Sequence, residues 1–134
     1  MKVLSKPCGL AIILCDDIIE DKHSGKKSLI GIFNEIYSFH FPAKRQKIAI
    51  FVSLMGGNGE YEAVLKMRDP ENKVIFSGGG KISITHPFQV ADMLFTVYNM
   101  AFMKTGRHVI EFYCNEELVF ERHFMLHQLK GEIQ

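Results

Sequence analysis

The sequence predicts an all-β domain: an antiparallel β-sandwich, immunoglobulin-like or C2-like, of roughly seven to nine strands with little helix. Three observations predict it. Short apolar runs recur along the whole chain and are cut by Gly, Pro, Asn and Asp, the punctuation expected of strands and turns. Glu60–Arg68 alternates with period two: Tyr61, Ala63, Leu65 and Met67 against Glu60, Glu62, Lys66 and Arg68, with Val64 the only exception. That is one dry face and one wet one. Finally, only Pro87–Phe102 carries a spacing that a helix could use.

Taken in order, Leu10–Glu20 is the first strand candidate, and Ser28–Phe41 the second. The polar loop Asp21–Lys27 joins them as a hairpin, with Gly25 supplying a left-handed position. Gly31 or Asn34-Glu35 marks a bulge in the second strand, and Pro42 ends it because proline cannot donate to a ladder. Lys47–Met55 is almost continuously apolar, which suits a central strand covered on both faces. Gly56-Gly57-Asn58-Gly59 turns the chain into Glu60–Arg68, and Asp69-Pro70-Glu71-Asn72 has the residues of a type I turn. Gly78-Gly79-Gly80 separates Val74–Phe76 from Ile82–Ile84 and predicts an interrupted strand. In Pro87–Phe102 a helix would align Phe88, Ala91, Leu94 or Phe95, and Tyr98. The strand formers Phe95–Tyr98 favour instead a turn at Phe88–Ala91 and a strand from Met93. His108–Cys114 and Leu118–His127 form a last hairpin around Asn115-Glu116-Glu117.

At 134 residues, with no repeat and no Pro-, Gly- or Ser-rich linker, residues 1–134 read as a single domain. Sixteen basic and 15 acidic side chains leave a net charge of +1. Neither nucleic acid nor an anionic membrane finds a basic excess to bind. Met1–Pro7 lacks the pattern of a secretory leader, and Leu10–Cys15 is too short for one or for a membrane span. Cys8, Cys15 and Cys114 are odd in number and form no CxxC pair. Three free thiols in a reducing cytoplasm are the expectation.

The chemistry-bearing residues form few patterns. No serine sits in a G-x-S-x-G frame, and both Gly-rich segments lead into strands, where a phosphate cradle needs a helix. His123 and His127 have the i, i+4 spacing of a metal pair, but on a strand that spacing spans ~13 Å. If the first hairpin turns near Ser24-Gly25, Cys8 falls across the ladder from His40, and two ligands make no site. We therefore expect no metal, no cofactor and no catalytic residue. Asp16-Asp17 is the most unusual feature, two carboxylates inside an apolar strand. With Glu35 from the neighbouring strand they are candidate ligand-binding residues. The ordinary alternative is a strand leaving the core, with Asp blunting an edge.

The quoted residues fall in an order that resembles a widespread family of small uncharacterised bacterial proteins, a domain of unknown function. The resemblance runs through Leu14-Cys15-Asp16, Gly25–Phe33, Phe41-Pro42, Gly59-Glu60-Tyr61, Asp69-Pro70 and Thr105-Gly106-Arg107. It implies a compact β-sandwich and a bacterial cytosolic source, and no catalytic residues. His108 stands where an immunoglobulin-type sandwich would place a corner tyrosine, a departure from strict immunoglobulin topology.

Two functions follow as expectations. The first is a non-enzymatic binding or assembly module acting as a homo-oligomer or subunit. Ile48–Met55 and Met93–Phe102 are apolar on both faces, and the second face needs a cover. Either the chain's own segment at Pro87–Ala91 provides it, or a partner chain does. Phe51, Met55, Tyr98 and Met100 are the candidate interface residues, since aromatics and Met are enriched in interface cores. The alternative is a ligand-binding or hydrolytic protein with a carboxylate pocket at Asp16, Asp17 and Glu35.

Overall fold

The computed structural model describes residues 5–131; the start of the segment read above for a leader lies outside them. Ten strands follow in order: β1 (Cys8–Cys15), β2 (Asp17–Glu20), β3 (Lys27–Ile30), β4 (Glu35–Ser38), β5 (Ala43–Met55), β6 (Gly59–Arg68), β7 (Val74–Ile84), β8 (Ala91–Phe102), β9 (Gly106–Cys114) and β10 (Glu117–Gln128). The chain is all-β, and no helix among the described residues is long and apolar enough to cross a membrane. One sheet has the order β1-β5-β8, a second β4-β10-β9-β6-β7, and β2-β3 stands apart as a hairpin.

The two larger sheets enclose one core. β5 contributes Ile48, Ile50, Val52 and Leu54, β6 gives Leu65 and Met67, and β9 and β10 add Ile110, Phe112, Phe124 and Leu126, all fully buried. The alternation in β6 appears as expected, with Tyr61, Ala63, Leu65 and Met67 inside. The last hairpin turns at Asn115-Glu116, both with positive φ (50° and 69°), the backbone of a tight two-residue turn. The segment after Pro87 is a turn followed by a strand, as its strand formers favoured.

Four expectations are corrected. The first two strands are not continuous. The chain bends at Asp16, so Leu10–Glu20 becomes β1 and β2, and Ser28–Phe41 becomes β3, a bridge at Phe33, and β4. The pairing is also not purely antiparallel, because β4 leaves the hairpin and joins β10 in parallel. Third, Val74–Ile84 is one strand without interruption. Gly78 and Gly80 serve as small inward residues: a Cβ on Gly80 would lie 3.0 Å from Met93 Cε, and one on Gly78 3.3 Å from Phe95 Cδ1. They let β8 approach β7 across the core. Fourth, Met100 was grouped with Tyr98 on an outer face, yet it is 8% exposed and Tyr98 66%. Asn99, at φ 53°, breaks the alternation of β8. Gln46 drops out of the ladder opposite it, so the pairing resumes in the same register. Met100 and Phe102 thereby turn inward with Phe95 and Val97.

The second face of β5 is partly covered by the chain itself, though not by Pro87–Ala91. The β2-β3 hairpin folds back over it. Cys15 and Ala49, paired on that face, are buried, and the Cys15 thiol donates to the Ala49 carbonyl at 3.6 Å. Lys27 reaches over to Asp92 of β8, 3.9 Å apart. Phe51 and Met55 are consequently only half-buried.

Candidate binding cleft

The bend that creates the cleft starts from glycine chemistry. Gly31 adopts φ 70°, where side-chain-bearing residues are rare. A Cβ there would sit 2.2 Å from Asp16 Oδ2, so the Asp16 carboxylate rests against bare backbone. The Asp16 N–H donates to the carbonyls of Ile30 (2.9 Å) and Gly31 (3.2 Å), and the Phe33 N–H donates to the Leu14 carbonyl (3.0 Å). The strand pair is thus pinched open for two residues on each strand, Cys15-Asp16 and Gly31-Ile32, and closed again. Asp16 and Glu35 then line one cleft of about 380 Å³ with Phe33, Tyr37, Arg45 and Lys47.

Sequence reasoning brought Asp16, Asp17 and Glu35 together, and the structure separates their roles. Asp17 sits at the rim, accepting from Lys47 Nζ at 2.7 Å and from the Ile18 N–H at 2.9 Å. The Lys47 hydrogen bond, helped by the Ile18 amide, holds its carboxyl below the usual range, and the same bond raises Lys47. Glu35 accepts from the Tyr37 hydroxyl at 2.8 Å and contacts His127 Nε2 at 3.0 Å. The tyrosine first, then the histidine, lowers its pKa, while the Tyr37 ring stacks on His127 with centroids 4.9 Å apart. Arg45 donates to the Tyr37 carbonyl (3.0 Å) and to the Lys44 carbonyl (2.9 Å).

Sequence reasoning missed Arg45, Lys47 and the Tyr37–His127 pair. The signal for the cations was present: Lys44, Arg45 and Lys47 cluster at the head of an otherwise apolar strand. The stacked pair carried no local signal, because Tyr37 and His127 meet only through the parallel β4–β10 pairing.

Chemically, the cleft holds two cations and two carboxylates. Glu35 in the cleft and Asp17 at its rim both have lowered pKa values, so neither is poised as a general acid, which needs a raised one. The arrangement suits holding a small charged or dipolar molecule. Among the described residues no three His, Cys, Asp or Glu side chains stand close enough together for a metal ion. The Cys8–His40 juxtaposition does not form, because the ladder ends at Leu14–Phe33. Cys8 lies opposite Met55 beside Gly56, and His40 follows β4. His123 and His127 lie on β10, as a strand reading requires.

Of the candidate interface residues, Tyr98 faces outward and Met100 does not, while Phe51 and Met55 are intermediate. Tyr98 shares the outer side of β8 with Leu94, 43% exposed, and the loop before the strand presents Phe88 at 83%. That loop is pinned: the Gln89 side-chain oxygen accepts from the Thr85 N–H and hydroxyl, both at 2.8 Å, and the Gly56 N–H donates to the Pro87 carbonyl at 3.0 Å.

Fold and site together define an all-β domain of two sheets and a covering hairpin, with a charged cleft at the hairpin's root. The chain belongs to the family of unknown function DUF6941, which matches residues 10–127. No curated protein matches it.

Proposed function

We propose that this protein is a non-enzymatic binding or assembly module of the cytoplasm that works as a homo-oligomer, built on a β-sandwich of immunoglobulin-like or C2-like kind. One observation carries the reading: Leu94 and Tyr98 stand exposed on the outer side of β8, with Phe88 and Val90 exposed in the loop that enters it. Clustered exposed apolar residues on a rigid strand are the mark of a contact surface, and aromatics dominate the energy of such surfaces. The near-zero net charge favours a protein partner over nucleic acid or membrane. Sedimentation velocity from 1 to 100 µM should show self-association, and Tyr98→Glu should shift the population to a folded monomer. A wild-type monomer at 100 µM would end this reading.

A second reading rests on the cleft itself, where Asp16 and Glu35 face Arg45 and Lys47. It makes the protein a binder of a small dipolar ligand. Thermal-shift screening against amino acids and short peptides tests it, since a ligand at 100 times its Kd adds about 2.7 kcal/mol of stability. The Arg45→Ala variant should lose the response.

A further inference from the structure

We propose that two copies join edge to edge along β8, antiparallel about a two-fold axis at Thr96, forming one continuous sheet β1-β5-β8-β8-β5-β1. The inference rests on the homo-oligomer reading and specifies its contact.

An unpaired strand edge offers a row of N–H and C=O groups to any matching strand. Three of the four edges of the two larger sheets are blunted. On β1, the Leu14–Phe33 bridge occupies one end, and Arg122 donates to the Ile12 carbonyl. β4 is four residues long, and its Tyr37 carbonyl already accepts from Arg45. β7 carries three glycines and Lys81, and both glycine and an edge lysine weaken pairing. β8 is different. It runs 12 residues with no proline and no lysine, and it pairs only with β5. Among the described residues no other backbone hydrogen bond reaches it.

The side chains select a second copy as the occupant. Opposed residues in an antiparallel pair point to the same face, so a two-fold axis must pass beside one residue. An axis at Thr96 sets Thr96 against Thr96 of the second copy and pairs Leu94 with Tyr98 twice. Thr–Thr and aromatic–aliphatic pairs stabilise a ladder. Charge selects the direction. Asp92, 3.9 Å from Lys27 of its own chain, is the sole charged residue of β8 and lies at its start. Beside its far end Lys44, Arg45, Gln46, Asn99 and Ala101 line a recess of about 330 Å³. Antiparallel pairing brings each copy's Asp92 toward the other's Lys44, which pairs with the outward Ala101.

Cross-linking tests the register in a Cys8→Ser background, which removes the exposed thiol. Thr96→Cys should form a symmetric disulfide dimer under mild oxidation. Leu94→Cys and Tyr98→Cys chains should cross-link when mixed, and far less when each is alone. Thr96→Lys should weaken dimerisation at least tenfold, and Asp92→Asn should reduce its dependence on salt. A monomeric wild type overturns both this contact and the homo-oligomer reading. A dimer that survives Thr96→Lys and gives no Thr96→Cys cross-link overturns the β8 contact alone.

Discussion

His108 sits 1% exposed between Phe102 and Phe124, with ring centroids 5.5 and 5.3 Å away. Its Nδ1 lies 3.1 Å from the Gly106 carbonyl, and its Nε2 has no partner among the described residues. Burial lowers its pKa, against the opposing pull of the Gly106 carbonyl and the Asp69 charge. In the unfolded chain it titrates near the ordinary value of about 6.5. Between the lowered folded pKa and that value the unfolded state binds more protons, so stability rises with pH there. The contribution is complete above about 6.5 and is lost as pH falls below it, at no more than ~1.4 kcal/mol per pH unit. Urea denaturation between pH 5 and 7 should show this slope in the wild type and a flatter one in His108→Leu. Equal slopes would refute the assignment. Glycine makes a second case at this scale. A Cβ on Gly9 would lie 2.1 Å from Phe120 Cδ2, whereas at Gly25 it would meet open space. Gly9→Ala should cost roughly 1–3 kcal/mol through overpacking. Gly25→Ala, at φ 73°, should cost only the left-handed penalty of about 1–2 kcal/mol. The two separate in structure: the Phe120 resonances should shift in the first variant only.

The β2-β3 hairpin is the element whose role was least legible in the sequence. The loop Asp21–Lys27 and the disturbance at Gly31 were readable, because glycine and polar clusters are local signals. The fold-back was not, because it depends on where the hairpin lands, on β5 and β8. Asp16-Asp17 was legible as an interruption, and its meaning came from Gly31 and Lys47, which are distant in the chain. The alternation of β6 was legible because Val64 alone departs from it in the sequence, and the burial of the strand keeps period two through that residue. In β8 one residue, Asn99, inverted the parity and with it the place of Met100. A strand's faces can be read only up to the first residue that breaks its period. The hairpin also makes a measurable prediction. Cys8 is exposed, and Cys15 and Cys114 are buried. Burial raises the Cys15 thiol, with the Asp16 charge adding, and pushes Cys114 up to about 11. Thiolate is the reactive form, so Ellman's reagent should label one thiol per native chain and three after unfolding. Gly31→Val, which collides with Asp16, should loosen the hairpin and speed labelling of Cys15 while leaving Cys114 protected. Equal acceleration at both thiols would mean that the hairpin does not guard its side of β5 independently.

At the scale of the whole molecule, four of the seven ladders join strands that are not neighbours in the chain. β1 waits for β5, β5 for β8, and β4 for β10, where Glu35 meets His127 across 92 residues. Such topologies fold slowly, on the order of milliseconds to seconds, because loop closure must precede the contacts that reward it. The tight turns at Asn115-Glu116 and after Arg68 make the β9-β10 and β6-β7 hairpins the cheapest early structures. β6 and β9 then pair side by side to complete the centre of the large sheet. β4 has only four residues, joins in parallel, and gains its place through Ile36 and the Arg122 contact to Asn34. It should form after the rate-limiting step. Ile36→Val and Ile110→Val each remove one buried methyl and should each cost about 0.5–1.5 kcal/mol. In stopped-flow chevrons Ile110→Val should slow folding, and Ile36→Val should chiefly speed unfolding. The comparison is sound where each variant loses more than about 0.6 kcal/mol. If Ile36→Val slowed folding as much as Ile110→Val, the parallel pairing would belong to the nucleus, and the hairpins would not be the first structure to form.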